Sequence, residues 1–351
     1  MIYGAYGYTG ELIAREAVAR GMTPVLAGRR SEPVSSVAKE LGLEHRVFGL
    51  ENPDLVRSGL EGMTLVLHSA GPYSATSGPM VEGCLKTGAH YLDITGEIRV
   101  FESLHARDEE ARNAGVIVLP GVGFDVVPTD CLAARLASCI DQPTTLELAF
   151  RTTRSLSQGT AKGVVESLGY PNLVRRGGQI VEVPVGRLLR DIPFSDKTRF
   201  GLAIPWGDVS TAYYSTGIPE ITVYRTMHPK RARKAHLIRL VQWALRIGLV
   251  QRYLKWRVER TVTGPTQQQL AEGMAQVWGE VRNAQGETAT AELTTPNPYA
   301  CTADAAVSSV MRVFDGEVSA DSGFLTPSLA FGADFVSGLH GVTWTMEPEP
   351  R

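Results

Sequence analysis

The sequence predicts an α/β protein: a doubly wound parallel sheet, interrupted by a mixed α/β domain whose own sheet is largely antiparallel. Three observations carry that prediction. Strand and helix signals alternate with short connections over residues 1–128, which calls for parallel strands with helices on both faces. Gly4, Gly7 and Gly10 stand between the first strand and the first helix. From Thr144 the texture changes to polar–apolar alternation with long connections, the pattern of antiparallel strands, until a helix from Ala303 to Val313 reads as a return to the first domain. The expected domains are therefore residues 1–128 completed by 299–341, with residues 129–298 between them.

The apolar run Met1 to Tyr3 enters the glycines, and Leu12, Ile13, Ala17 and Val18 recur at helical spacing from Thr9 to Arg20. Strand, glycine turn and helix are the context that a dinucleotide fingerprint needs. The first glycine allows the tight turn, the second lets backbone N–H groups approach a pyrophosphate, and the third lets helix and strand pack closely, with the anion on the helix N-terminus. The spacing is GxxGxxG rather than GxGxxG, a variant associated with the phosphorylated cofactor; taken alone it reads equally as a plain turn before a helix. The strand from Pro24 to Gly28 adds to it by ending in Arg29 and Arg30, where an NAD site would place an acid on the ribose hydroxyls. Guanidinium groups suit a 2′-phosphate, so NADP is the expected cofactor, against the plainer reading of a solvated arginine pair. With only three residues ahead of Gly4, a native start upstream of Met1 and a short sheet edge both stay open.

A helix from Pro33 to Leu43, a strand from His45 to Phe48, a helix through Leu55 to Leu60 and an apolar strand from Thr64 to Ser69 follow. That last strand runs into a loop from Ala70 to Gly78, expected beside the glycine turn with Tyr73 bordering the nicotinamide half of the cofactor. Next come a helix from Pro79 to Thr87, a strand from His90 to Ile94 ending in Thr95-Gly96-Glu97, and a long helix from Ile98 to Ala114. The strand Val116 to Leu119 delivers a loop from Gly121 to Asp130 that carries Asp125, with a helix beginning near Thr129.

In the second domain the strands are expected at Thr145 to Thr153, Gln179 to Val185, Val209 to Tyr214 and Ile221 to Met227, with a helix-like segment from Gly159 to Leu168. Asn283-Ala-Gln-Gly286 reads as a hairpin joining Ala275 to Val281 and Thr288 to Thr294. Residues 230–260 hold ten Lys or Arg against one acid, Glu259, interleaved with Trp243, Tyr253 and Trp256. Arg239, Gln242 and Arg246 fall on one helical face, opposite a wide apolar one, and Gly248 breaks the helix. Such a segment docks on a membrane interface or an acyl-carrier protein, caps an apolar substrate channel, or packs on the protein's own core or on a homodimer partner. A segment from Phe335 to Leu339 reads as helical, and a strand from Val342 to Met346 precedes a polar tail ending at Arg351.

A net charge of −2 gives no pull toward nucleic acid, and no apolar run reaches the length of a membrane span. No signal peptide is read ahead of the first strand, and Cys84, Cys131, Cys139 and Cys301 show neither a CxxC pair nor metal-ligand spacing. A cytoplasmic protein with buried, apolar cysteines and peripheral membrane association at most is expected. The seven histidines stand in no motif, so no metal is expected. For chemistry the candidates are few. Tyr73 is read as a proton donor or as a ring stacked on the cofactor, and Asp125 as a base, a carboxamide partner or a helix cap; Asp93 reads as structural.

GAYGYTG at the start, AGPYSATSG with GAHYLDITGE, GVGFDVVPTD, and TPSLAFG near the end together resemble the saccharopine dehydrogenase-like superfamily, nearest its branch of saccharopine dehydrogenase-like oxidoreductases and trans-acting enoyl reductases. The resemblance covers nearly the whole chain. It implies an NADP-binding Rossmann domain interrupted by an α/β domain, with nucleotide-binding roles at Gly4, Gly7, Tyr8, Thr9, Gly10 and Arg29 and in the loop Ser69, Ala70, Gly71, Pro72, Tyr73. It further implies reduction of an activated double bond in an acyl or lipid-like substrate. Two alternatives stand beside it. One is reduction of an imine joining amino acids, whose carboxylates Arg151, Arg154, Arg175 and Arg176 would meet; the other is a non-catalytic, membrane-associated NADP-binding protein.

Overall fold

The computed structural model describes residues 1–152 and 157–346. Thr153, Arg154 and the tail beyond Met346 lie outside the described residues. The chain divides into two compact units, Met1–Cys131 with Tyr299–His340, and Leu132–Pro298 with Gly341–Arg351.

The first unit alternates as the hydrophobic pattern requires: β1 (Ile2–Tyr3), α1 (Tyr8–Ala19), β2 (Leu26–Gly28), α2 (Ser31–Leu41), β3 (His45–Val47), α3 (Pro53–Leu60), β4 (Leu65–His68), α4 (Tyr73–Thr87), β5 (His90–Asp93), α5 (Ile98–His105), α6 (Asp108–Ala114), β6 (Ile117–Leu119) and α7 (Val127–Ala137). Two expectations are corrected. The segment from Tyr73 to Gly78 is not loop but the start of α4, with Pro79 inside the helix. The Glu97 carboxylate makes this start by accepting the amides of Tyr73 and Ser74 at 2.8 and 3.0 Å, an acceptor distant in sequence that stands in for a local cap. The helix expected over Ile98 to Ala114 is two helices. Arg107 leaves the helical track (φ −100°, ψ 13°), and its guanidinium binds Glu82 and Glu110 at 2.6 Å each. Asp108, Glu109 and Glu110 then suit the N-terminal turn of a second helix.

The second unit contains β7 (Pro143–Thr152), α8 (Gln158–Ser167), β8 (Asn172–Arg176), β9 (Gln179–Val183), β10 (Leu189–Pro193), β11 (Thr198–Ala203), α9 (Asp208–Thr216) and β12 (Glu220–Thr226). There follow α10 (Pro229–Lys234), a 3₁₀ turn (Ala235–Leu240), α11 (Gln242–Leu245), α12 (Gly248–Thr261), α13 (Gln267–Glu272) and the hairpin β13 (Met274–Asn283) and β14 (Thr288–Pro296). The strand expected at Val209 to Tyr214 is α9. Its β-branched and aromatic residues favour a strand only where a pleated surface receives them. Here Val209 and Ala212 are buried, and Ser215 and Thr216 return their hydroxyls to the Ala212 carbonyl within one turn. In the hairpin, Asn283 Oδ1 accepts the amides of Gln285 and Glu287 at 3.1 and 3.0 Å, which closes the turn as expected.

The chain ends with α14 (Pro298–Phe314), β15 (Gly323–Phe324), α15 (Pro327–Phe331), a 3₁₀ turn (Ala333–Gly338) and β16 (Thr343–Met346). Among the described residues the first sheet has seven strands in the order β15-β6-β5-β4-β1-β2-β3, parallel throughout. The second runs β10-β11-β12-β7-β13-β14-β16, with β8 paired to β12 and to β9. Its strands are antiparallel except β12 beside β7. On the first sheet Ile2, Leu26, Leu67, Leu92 and Leu119 form one core with Ala303, Ala306, Val307 and Val310, a helical i, i+3, i+4, i+7 stripe of α14. The strand order reverses between β1 and β4, and that switch point positions the site below.

Candidate nucleotide site

The turn between β1 and α1 is built by close approach. Gly4 sits at φ +87°, and a Cβ there would lie 2.8 Å from Ala70 Cβ and 2.9 Å from Ala70 N. A Cβ on Gly10 would overlap the Gly4 carbonyl oxygen and stand 2.7 Å from Ser69 Oγ. Both positions therefore require glycine, one for its conformation and both for space. Gly7 N–H donates to the Gly4 carbonyl at 2.9 Å, and α1 opens with no side-chain cap on Gly7. Among the described residues no backbone acceptor takes the Thr9 and Gly10 amides. A glycine turn against an uncapped helix N-terminus fits a dinucleotide pyrophosphate.

At the end of β2, Arg29 and Arg30 are exposed. Tyr6, inside the glycine turn, holds the second of them: its ring packs where a Gly28 side chain would be, 2.5 Å from the Cβ position, and the Arg30 guanidinium lies 4.8 Å from its centroid. Sequence reasoning passed over Tyr6. Its signal was the aromatic between two glycines, facing a glycine at the next strand's end. A 2′-phosphate fits beside two guanidinium groups next to the α2 N-terminus.

Three further loops meet at the carboxyl ends of β4, β5 and β6. Ser69 donates its amide and its hydroxyl to the Tyr3 carbonyl at 2.8 and 2.9 Å, so this loop does lie against the glycine turn. Gly71 and Pro72 are exposed and joined by a cis peptide. The half-buried Tyr73 packs edge-on to His68, and its hydroxyl donates to the His68 carbonyl at 3.4 Å. Burial, with the charges of Asp93, Glu97 and Asp125, pushes its pKa well above the phenol range, so it is a protonated phenol. Asp93 is buried; it accepts Tyr91 Oη at 2.7 Å and the Thr95 and Gly121 amides at 2.9 Å each, tying two loops together. Burial raises its pKa to about 6 against the opposing pull of those hydrogen bonds. Asp125 is half-buried, with Oδ2 2.9 Å from where a Gly96 Cβ would stand. The structure thus brings Tyr73, Glu97 and Asp125 into one neighbourhood. Glu97, which shapes it from the far side of the α4 start, was missed because its role depends on a contact with residues 73 and 74.

The distant motifs also join within this unit. Phe124 N–H donates to Thr302 Oγ1 at 3.0 Å, and Ser328 N–H to Asp130 Oδ2 at 2.8 Å, so α14 and the TPSLAFG segment brace the loop that carries Asp125. A cavity of about 400 Å³ bordered by Met1, Met22, Pro24, Met63, Val307 and Phe314 lies at the amino ends of these strands, the wrong edge for nucleotide. All four cysteines are buried, and none is in a disulfide.

Other expected positions are corrected. Arg175 and Arg176 are engaged within the protein: Arg175 is buried, bonds the Val209 and Gly178 carbonyls at 2.8 and 2.7 Å and lies over Tyr213, while the half-exposed Arg176 holds Thr222 and Glu220. Arg151 binds Gln276, and Arg154 lies outside the described residues. Residues 230–260 are several short helical pieces ahead of α12, because Gln242 and Arg246 turn inward to the carbonyls of Tyr170 and Gly169. Gly248 opens α12. Among the described residues no helix is long and apolar enough to cross a membrane.

Residues 1–119 match the family model described as the saccharopine dehydrogenase NADP binding domain. Over 202 residues the chain is 27% identical to the saccharopine dehydrogenase-like oxidoreductase of Rattus norvegicus, covering 50% of this chain and 47% of that protein. Over 173 residues it is 32% identical to the trans-acting enoyl reductase of Mycobacterium leprae (strain TN), covering 46% and 41%. It therefore spans less than half the length of these curated relatives. Among solved structures it is similar to apo saccharopine dehydrogenase (L-Glu forming) from Saccharomyces cerevisiae, with a TM-score of 0.61 at 12% identity over 95% of each chain. It is also similar to the homospermidine synthase of Legionella pneumophila in complex with NAD, with a TM-score of 0.64 at 11% identity over 98% of this chain and 90% of that one. The chain has the saccharopine dehydrogenase fold, and its residues 1–119 belong to the saccharopine dehydrogenase NADP-binding domain family.

Proposed function

We propose that this chain is an NADP(H)-dependent oxidoreductase that reduces an activated double bond in an acyl or lipid-like substrate. The observation that carries the cofactor half is the uncapped glycine turn beside the arginine pair, with Tyr6 belonging to the turn and holding Arg30. The relatives named trans-acting enoyl reductase, 32–33% identical over their matched parts, support the substrate class. When bound, NADPH supplies hydride to the electron-poor carbon.

The protein's own part is to position and to handle a proton. The Thr9 and Gly10 amides hold the pyrophosphate, Arg29 and Arg30 the 2′-phosphate. Surrounded by carboxylates, Tyr73 resists ionisation, so it suits donation of a hydrogen bond to an oxygen that gains charge better than full surrender of its proton. Its 3.4 Å bond to His68 is long enough to be exchanged for a substrate oxygen. Asp125 borders the same neighbourhood; its carboxylate would first take a proton from water and then relay it to the neighbouring carbon. Imine reduction between amino acids is less well supported, since Arg175 and Arg176 are held by the protein itself.

The test is NADPH consumption with enoyl thioesters of increasing chain length and, in parallel, with 2-oxoacid and amine pairs. Enoyl turnover is expected, falling about a hundredfold in Asp125→Asn and in Tyr73→Phe with NADPH affinity kept. Turnover confined to the imine-forming pairs would overturn the substrate class, and equal losses of affinity and turnover would remove both side chains from the chemistry.

A further inference from the structure

Residues 229–261 seat Ala232 and Ala235 in an apolar cluster with Leu202, but from Leu237 onward they leave much of their apolar surface in solvent. From Gln242 onward polar side chains reach the rest of the unit: Gln242 and Arg246 bond the carbonyls of Tyr170 and Gly169 at 2.8 and 2.6 Å. On α12, Gln251 bonds the Val165 carbonyl at 3.1 Å, Lys255 pairs with Glu166 at 2.6 Å and Glu259 with Lys162 at 2.7 Å. These three, spaced by four residues, form the face that meets α8. Many of the large apolar side chains are left outside. Leu240, Trp243 and Leu249 are 71%, 70% and 68% exposed, and Leu237, Tyr253 and Trp256 are exposed as well. Arg239, Arg252 and Arg257 stand exposed among them, in a stretch with ten basic residues and one acid.

Exposed Leu and Trp set among arginines match one kind of surface. The apolar side chains enter the acyl boundary of a bilayer, the aromatic rings settle at headgroup depth, and the cations meet anionic headgroups. A second copy presenting the same surface would bring like charge against like charge, which costs affinity at a two-fold interface. A purely electrostatic partner would leave the apolar side chains in water. We infer that residues 229–261 form a peripheral docking surface for an anionic lipid bilayer, with Leu240, Trp243 and Leu249 inserted and Arg239, Arg252 and Arg257 against the headgroups. This inference does not rest on the proposed reaction.

The experiment is co-sedimentation of the full chain with phosphatidylcholine vesicles, with and without phosphatidylglycerol, read together with quenching of tryptophan fluorescence by brominated lipid. Two variants accompany it: Leu240→Ser, Trp243→Ser, Leu249→Ser, and Arg239→Glu, Arg252→Glu, Arg257→Glu. Circular dichroism and NADPH titration confirm that each is folded. Wild type is expected to bind the anionic vesicles with quenching, and each variant to lose roughly a hundredfold in partitioning. Four outcomes would overturn the inference: no sedimentation of wild type; equal binding to neutral and anionic vesicles; binding that persists in the serine variant; or a dimer in ultracentrifugation that the serine variant alone abolishes.

Discussion

The glycine turn and the basic segment are both short patterns with a conventional meaning, and they relate to the structure in opposite ways. At the turn, the residue types dictate the geometry directly: Gly4 and Gly10 are where no Cβ fits, and two of the neighbours that exclude one, Ala70 and Ser69, come from the loop after β4, the strand next to β1 in the sheet. In the basic segment the helical wheel predicts a polar outside and an apolar inside. The structure departs from it: backbone carbonyls at Gly169 and Tyr170 and the acid Glu166 capture some of the polar side chains, while Leu240, Trp243 and Leu249 stay in solvent. Steric exclusion is local and survives any context, whereas amphipathic periodicity says that a helix has two faces without saying which one the protein takes.

That contrast can be broken most sharply at Gly10. A methyl group there overlaps the Gly4 carbonyl, so Gly10→Ala is expected to destabilise by about 2 kcal/mol and to lower NADPH affinity at least about tenfold. Urea unfolding and fluorescence titration read both effects, and a fully stable variant with native affinity would show that α1 can move away from β1.

Asp93 tests whether the site's loops are held at an electrostatic cost. Its folded pKa of about 6 lies above the roughly 4 of an unfolded chain, so the folded state binds the extra proton. The stability this confers is complete below about pH 4 and is lost as pH rises through about 6. Between about pH 4 and pH 7, wild type should lose roughly 2 kcal/mol more than Asp93→Asn. Parallel pH profiles for the two proteins would contradict the buried, ionising carboxylate.

Smaller effects sharpen the comparison. Glu97→Gln keeps the shape and removes the charge at the α4 start, with an expected loss of about 1 kcal/mol in urea unfolding. In the other region, Gly248 opens α12 with nothing within 4 Å of its Cβ position. Gly248→Ala is therefore expected to be neutral or to stabilise by about 0.5 kcal/mol. A marked loss there would mean that the segment is packed more tightly than its exposure implies.

Much of the first sheet was legible because short, mostly apolar runs, two to four residues long in the structure, are separated by amphipathic helices and leave few other topologies. The placement of Ser69 and Ala70 against the glycine turn followed from the same topology. What stayed hidden depended on contacts between distant residues. Tyr73 to Gly78 read as a loop because Pro79 looks like a helix start, yet the helix begins where Glu97 receives its amides. Val209 to Tyr214 carry strand propensity and form a helix. β8, β10 and β11 were missed, for their residues mix charge, glycine and proline too freely to alternate cleanly. Tyr6 became visible only with Gly28 and Arg30 around it.

Dinucleotide binding is the property on which every other role assigned to the site depends. Its direct measurement is fluorescence titration of wild type and of the Arg29→Ala, Arg30→Ala double variant with NADPH and with NADH. The predicted result is that wild type prefers NADPH and that the double variant loses about ten- to a hundredfold in NADPH affinity while its NADH affinity is unchanged. Equal affinity of wild type for both cofactors, or an NADPH affinity that survives removal of both guanidinium groups, would contradict it.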